Sequence, residues 1–423
     1  MKKISPYKYH GSISSCGSKS HAQRILILAL MSRSSLFIKN FIIEEIGTDV
    51  QHVLKVCEQL GFTYQQEPDG IQFIAPNSLL IHPESNFNIG ESGFALRTLS
   101  TVLSALTDSY VIEGENTILN RDHKGLIASL KNIGFDVNTE NNKLPLKIST
   151  IESFPSIIEI DGSEGSQFIS GIIMRSLISQ IDTEIRIKNM TSRPYIDLTI
   201  KTIEQFNGKV NSVNDSTYVI PGGQFLNIEN VILEGDWSNM AFHMVGAALN
   251  GEIVISGLST LSTQADKIIL DVLKKFGANV EIEKSSSIRV FSVSKKPFQI
   301  DLTDAPDLFP VLAVLACGAN GVSKLQGTHR LVNKESNRLK SICYMLDVFK
   351  VNFQLKEHEL HINGRGRVHG GNVKTYDDHR MAMAAICAGT IADNAIIIDN
   401  EKCINKSYKN YLQEMDGIFY NEA

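Results

Sequence analysis

Six stretches of the chain are apolar on nearly every side, and each is opened by small or polar residues. They are SHAQRILILAL from Ser20, GFALRTLSTVLSAL from Gly93, SQFISGIIMRSLI from Ser166, SNMAFHMVGAAL from Ser238, PDLFPVLAVLACG from Pro306 and DHRMAMAAICAGTI from Asp378. A helix without a polar face belongs inside a core. Successive starts are 73, 73, 72, 68 and 72 residues apart. A period this steady marks a chain built from six repeats.

A second element keeps the same period. It is an amphipathic helix with a glycine stop, at Gly61, Gly134, Gly208 and Gly277; glycine after the last turn is a common helix terminator. Residues 335–348 and 407–418 take its place in the last two repeats. Between the two helices of each repeat lies a β-prone run, such as Leu36–Lys39, Glu252–Ile255 or Val322–Leu325. More strand-like residues follow the second helix. Each repeat therefore reads as βαβαββ, an α/β architecture. The sixth repeat runs out early, and the N-terminal segment 1–15 is expected to supply missing strands. Three repeats, residues 16–231, form one expected domain. Residues 1–15 with 232–423 form the other, and the chain crosses between them twice.

Composition narrows the classes. At 423 residues the chain exceeds what one core serves. Its 41 basic and 46 acidic residues give a net charge of −5, against a nucleic-acid or membrane-surface partner. No apolar signal region follows Lys2-Lys3, and no stretch is long enough to span a bilayer. The six cysteines form no CxxC pair. Reduced thiols in a cytoplasmic protein are expected, with no zinc site. Gly17-Ser18-Lys19-Ser20 is not a P-loop, because Ser18 stands where that motif has glycine.

Charge at the helix starts is more informative. Helix N-termini attract anions, and capping accounts for Ser, Asp or Asn there. It does not account for cations, which oppose the dipole. Yet Lys19 and Arg24 flank the start of the first apolar helix, Arg97 lies one turn into the second, and Arg380 opens the sixth. Arg121, Lys334, Arg338 and Lys406 sit near starts of the other helices. The acidic candidates are Asp307 and Glu335, and His379 precedes Arg380.

These runs, in order, resemble the 5-enolpyruvylshikimate-3-phosphate synthase family over essentially the whole chain. The matching stretches are GSKSHAQR (17–24), GESGFALR (90–97), DGSEGSQF (161–168), SRPYIDLT (192–199), Pro306-Asp307, KESNR (334–338), DHRMAM (378–383) and Lys406. The resemblance implies a two-domain inside-out α/β barrel, three βαβαββ units per domain, with the active site in the cleft between domains. It implies transfer of the enolpyruvyl group of phosphoenolpyruvate to the 5-hydroxyl of shikimate 3-phosphate, with release of phosphate and no metal or organic cofactor. The implied shikimate 3-phosphate set is Lys19, Ser20, Arg24, Ser166, Gln167, Ser192, Tyr195, Asp307 and Lys334. The implied phosphoenolpyruvate set is Lys19, Gly93, Arg121, Gln167, Arg338, Arg380 and Lys406. Lys19, Asp307 and Glu335 are candidate acid/base groups, and His379 and Lys406 would support the leaving phosphate. A monomer is expected, and glyphosate would compete for the phosphoenolpyruvate site.

The chain departs from the family pattern at several of these positions. Glu91 stands for a usual Asn, Phe94 for Thr, Thr98 for Pro, Asp122 for Pro and Gly165 for Ser. The role of Arg97 stays open. Two alternatives are weighed against this reading. UDP-N-acetylglucosamine enolpyruvyl transferase shares the fold but usually carries a reactive Cys within the stretch matching 116–124, where this chain has none. A non-catalytic repeat protein binding anionic metabolites would not need Lys19, Asp307, Glu335, Arg338, His379 and Arg380 together.

Overall fold

Every residue of the helix Trp237–Leu249 and of the helix Phe309–Gly318 is buried, as the lack of a polar face demands. The computed structural model describes residues 1–82, 85–149, 153–283 and 287–420. Twelve α-helices fall within them: α1 (Lys19–Ser32), α2 (Thr48–Gln59), α3 (Gly93–Val102), α4 (Lys124–Ile133), α5 (Ser166–Ser176), α6 (Arg193–Gln205), α7 (Trp237–Leu249), α8 (Ile269–Phe276), α9 (Phe309–Gly318), α10 (Arg338–Val348), α11 (His379–Ala388) and α12 (Tyr411–Ile418). The chain divides into two units. One is Lys19–Leu233, and the other joins Met1–Ser18 to Glu234–Ala423.

In each unit the apolar helices form the middle of the core. α1, α3 and α5 pack together in Lys19–Leu233, and α7, α9 and α11 do so in the other unit. The amphipathic helices cover them. α8 shows the logic: Ile269, Leu270, Val272, Leu273 and Phe276 are buried, the i, i+3, i+4, i+7 stripe of a helix with one wet face. Left-handed glycines end α4 (Gly134, φ 109°) and α8 (Gly277, φ 94°). The third repeat differs from the expected glycine stop. Asn207 takes the left-handed position after α6 (φ 58°), and Gly208 does not. Asparagine tolerates that region better than most side chains. α10 also begins later than the pattern suggests. Asn337 caps it by accepting from the Lys340 N–H at 3.2 Å, which leaves Lys334 and Glu335 ahead of the helix.

The sheets follow the repeat. Strand Ser85–Asn88 runs parallel to Ser109–Glu113, which pairs antiparallel with Leu146–Ser149, and that with Asp136–Asn138. The sheets of Ile157–Asp161 and Gln299–Asp301 repeat this pattern. Two repeats borrow their first strand from elsewhere. Asn230–Ile232 lies parallel to Leu36–Lys39 and completes the first repeat. Ser12–Ser14 lies parallel to Glu252–Ser256 and completes the fourth. Lys2–Ile4 pairs antiparallel with Ile396–Ile398, and Lys8–Tyr9 with Phe419–Tyr420. The N-terminal segment thus supplies strands to its unit at three places. No helix among the described residues is long and apolar enough to cross a membrane.

Close helix packing sets the positions of the polar helix starts. A β-carbon at Gly171 of α5 would come within 2.8 Å of Thr98 Cα and 3.0 Å of Arg97 O, both on α3. Backbone cannot yield as a flexible side chain can, so only glycine fits this crossing. Gly171→Ala is expected to lower the unfolding free energy by about 1–3 kcal/mol through overpacking. Urea denaturation checks this; an unchanged midpoint would show that α3 and α5 separate freely.

Candidate active site

In the unit Lys19–Leu233, polar side chains cluster at the N-terminal ends of α1, α3, α5 and α6. Lys19 opens α1 and donates to Asp49 Oδ2 at 3.0 Å. Asp49 is buried in the first turn of α2, where a carboxylate also suits the helix dipole. One turn along α1, Gln23 Nε2 donates to the Asp49 carbonyl at 3.1 Å and to Ser92 Oγ at 2.8 Å. Ser92 in turn caps α3 by accepting from the Ala95 N–H. This chain of bonds fixes Lys19 relative to Gly93, the next residue.

Arg24 is 1% exposed. Its Nε donates to Thr199 Oγ1 at 2.8 Å, Nη1 to the Ser20 carbonyl at 2.7 Å and Nη2 to the Tyr195 carbonyl at 3.0 Å. The Phe94 ring lies 4.4 Å from its guanidinium carbon, within cation–π range. Burial pushes its pKa down to about 9, so it is still a cation at neutral pH. Ser192, buried and left-handed (φ 55°), precedes α6. Ser166 and Gln167 open α5 behind Gly165, whose φ of 114° and ψ of −176° favour glycine. The serine usual at that position would be strained here.

Gly93 is the point of convergence. A methyl group there would stand 3.1 Å from Arg97 Nη1, 3.4 Å from Arg121 Nη1 and 3.6 Å from Gln167 Oε1. Arg97 Nη1 also donates to the Gly93 carbonyl at 3.2 Å. Arg97 therefore joins the residues of this group, a role the sequence left open. Arg121 Nη2 donates to Thr117 Oγ1 at 3.4 Å, while its buried Nε has no partner among the described residues.

In the other unit Arg338 is the hub. It has no exposed surface, and it donates to Glu335 at 2.5 Å, Asp307 at 2.8 Å and Asp378 at 2.9 Å. Burial opposes its charge, but Asp378, Glu335 and Asp307 outweigh that and raise its pKa. Asp307 also accepts from Arg380 Nη2 at 3.0 Å. Burial alone would raise the Asp307 carboxyl, yet Arg380 and Arg338 hold it well below the usual carboxylate range. Asp378 caps α11 through the Arg380 N–H at 3.0 Å and accepts from Ser336 Oγ at 3.2 Å. Burial pushes the Lys334 ammonium down to about 8, against the pull of Asp307 and Glu335.

Arg380 is 3% exposed, and its Nε and Nη1 have no partner among the described residues. His379 is wholly buried, with Nδ1 3.9 Å from Asp378 Oδ1. Lys406 is buried at the end of the turn Lys402–Lys406. The residue after it is clamped: Asn239 Nδ2 donates to the Ser407 carbonyl at 3.0 Å, and Ser407 Oγ donates to Asn239 Oδ1 at 3.2 Å.

The expected site residues thus form two groups, one in each unit. Lys19, Ser20, Arg24, Gly93, Arg121, Ser166, Gln167, Ser192 and Tyr195 belong to the first. Asp307, Lys334, Glu335, Arg338, His379, Arg380 and Lys406 belong to the second. Sequence reasoning passed over Asp49 and Asp378. Asp378 carried a signal, since an aspartate directly before an apolar helix is a capping residue. Asp49 carried none, because its contact with Lys19 spans 30 positions.

Residues 4–415 match the family EPSP synthase (3-phosphoshikimate 1-carboxyvinyltransferase). The 3-phosphoshikimate 1-carboxyvinyltransferase of Methanocorpusculum labreanum is 31% identical, over 98% of this chain and 97% of its own. That of Clostridium kluyveri is 30% identical, over 98% of this chain and 96% of its own. Among solved structures, EPSP synthase from Acinetobacter baumannii superposes with a TM-score of 0.78 at 22% identity, covering 99% of this chain and 98% of its own. The enolpyruvyl transferase NikO from Streptomyces tendae gives 0.76 at 12% identity, over 98% of this chain and 96% of its own. The fold is the α/β fold of the enolpyruvyl transferases, and this chain belongs to the EPSP synthase family.

Proposed function

We propose that this chain transfers the enolpyruvyl group of phosphoenolpyruvate to the 5-hydroxyl of shikimate 3-phosphate and releases phosphate. Family membership supports the reaction. One observation about the site carries it further. Each unit holds a guanidinium, Arg121 in one and Arg380 in the other, with buried N–H groups that donate to nothing among the described residues. Buried donors are almost always satisfied, and a guanidinium matches carboxylate and phosphate oxygens. Both substrates carry both groups. On this reading the two sets of residues act on the same pair of substrates.

Shikimate 3-phosphate is held by Lys19, Ser20, Arg24, Ser166, Gln167, Ser192, Tyr195, Asp307 and Lys334. Phosphoenolpyruvate is held by Lys19, Gly93, Arg121, Gln167, Arg338, Arg380 and Lys406. The methylene carbon of phosphoenolpyruvate gains a proton, which makes C2 electrophilic. The 5-hydroxyl oxygen bonds to C2 and gives up its proton, forming a tetrahedral intermediate. That intermediate loses phosphate by cleavage of the C2–O bond, and the methyl group returns a proton to restore the double bond. Lys19, paired with Asp49 at 3.0 Å, is the candidate proton donor. Asp307, tied to two arginines, stays ionised and accepts a hydrogen bond from the substrate hydroxyl. Glu335 shares Arg338 and is the second candidate for proton transfer. His379 and Lys406 offset charge on the departing phosphate. The enzyme works as a monomer in the cytoplasm; six free thiols suit a reducing compartment.

Phosphate release from phosphoenolpyruvate by the purified chain tests this directly. It is expected to depend saturably on shikimate 3-phosphate and to fall at least about 100-fold in Lys19→Met. Release driven by UDP-N-acetylglucosamine instead would select the related transferase, and release without any acceptor would end the proposal.

Lys334 gives a pH dependence with a definite sign. Its ammonium is charged below about 8 and neutral above. kcat/KM for shikimate 3-phosphate, which reports the free enzyme, is expected to fall as pH rises through that value. Lys334→Arg should move this limb upward, because arginine stays protonated. An identical limb in the variant would remove Lys334 from substrate binding.

A further inference from the structure

Glu91 departs from the family pattern, and the structure connects it to Arg121 through Thr117. Glu91 stands two residues ahead of Gly93. Its carboxylate does not cap α3, a task that falls to Ser92. It reaches instead to the short turn Asn116–Asn120 that leads into Arg121. Oε2 accepts from the Thr117 backbone N–H at 3.1 Å and from the Thr117 hydroxyl, and Oε1 from Asn116 Nδ2 at 3.5 Å. The backbone is tied beside it, with the Glu115 N–H donating to the Gly90 carbonyl at 2.8 Å.

The Thr117 hydroxyl has one proton and two lone pairs. The proton goes to Glu91, which turns a lone pair toward Arg121, whose Nη2 donates to it at 3.4 Å. Glu91, Thr117 and Arg121 thus form a directed relay that ends beside Gly93, where Arg121 Nη1 would lie 3.4 Å from an added β-carbon. Arg121 itself has φ −75° and ψ 149°, the conformation a following proline would impose. Asp122 follows it, and the Arg121 N–H donates to the Ile118 carbonyl at 3.2 Å.

Resting on the proposed function above, we infer that Glu91 and Thr117 are positioning residues that hold the Arg121 guanidinium in place for phosphoenolpyruvate. A glutamate near a helix start also interacts favourably with the dipole, but that effect depends on charge alone. The relay depends on an acceptor oxygen at the right place.

The test compares steady-state kinetics of Glu91→Ala, Glu91→Gln, Thr117→Val and Thr117→Ser in the full chain, with amide exchange of the segment 114–123. Glu91→Ala and Thr117→Val are each expected to raise KM for phosphoenolpyruvate about tenfold. KM for shikimate 3-phosphate should change little. Glu91→Gln and Thr117→Ser, which keep the acceptor and the hydroxyl, should stay within about twofold of wild type. Equal behaviour of Glu91→Ala and Glu91→Gln, or equal losses for both substrates, would overturn the relay. If wild type turns over neither substrate, the functional reading fails and exchange decides the clamp alone. Faster exchange in Glu91→Ala but not Glu91→Gln would uphold it, and equal exchange in all three would overturn it.

Discussion

A buried arginine shared by three carboxylates organises one of the two units. Arg338 has no exposed surface and is bonded to Glu335, Asp307 and Asp378. Taking such a charge out of water costs several kcal/mol, and it survives only where its partners are fixed. Removing one partner would strand a buried charge at a cost of about 3–5 kcal/mol. The cluster therefore locks together elements far apart in sequence: the start of α9 through Asp307, the turn before α10 through Glu335, and the cap of α11 through Asp378. Arg380 and Lys334 bring the count to three cations against three carboxylates. That balance keeps Arg380 buried and charged while part of its guanidinium remains available.

The unit Lys19–Leu233 reaches a comparable end by packing. α3 and α5 approach so closely at Gly171 that no side chain fits between them. That contact brings Arg97 and Gln167, from different helices, to the same glycine. Arg24 is fixed by three backbone or hydroxyl acceptors and an aromatic face rather than by a carboxylate. No carboxylate pairs with it among the described residues, and an unpaired buried charge favours an anionic partner. In both units the cations stand near helix N-termini, and the bonds that hold them there offset the opposing dipole.

The architecture was legible in the sequence because burial leaves a mark on every residue of an element. Six apolar helices at a near-constant interval, and a last repeat short of strands, announced the βαβαββ units and the debt met by Lys2–Ile4 and Lys8–Tyr9; that Ser12–Ser14 would complete the fourth repeat left no such mark. The candidate residues were legible because cations at helix starts contradict the dipole and needed another reason. What escaped was set by contacts distant in sequence. Asp49 meets Lys19 only because α2 lies on α1, and Arg97 shares Gly93 with Gln167 only because α5 crosses α3. The stop of α6 escaped because Asn207 and Gly208 both tolerate the left-handed region. Glu335 was placed on a helix because its run continues smoothly into α10, and only the cap at Asn337 excludes it.

On the proposed reading, these residues join two anions through an adduct that still carries the phosphate. Rapid quenching with enzyme in excess over phosphoenolpyruvate and shikimate 3-phosphate examines that step directly. A transient species containing both carbon skeletons and both phosphates, formed before phosphate appears, is the predicted result. Phosphate release with no such species, or a pyruvyl group bound covalently to the protein instead, would contradict it.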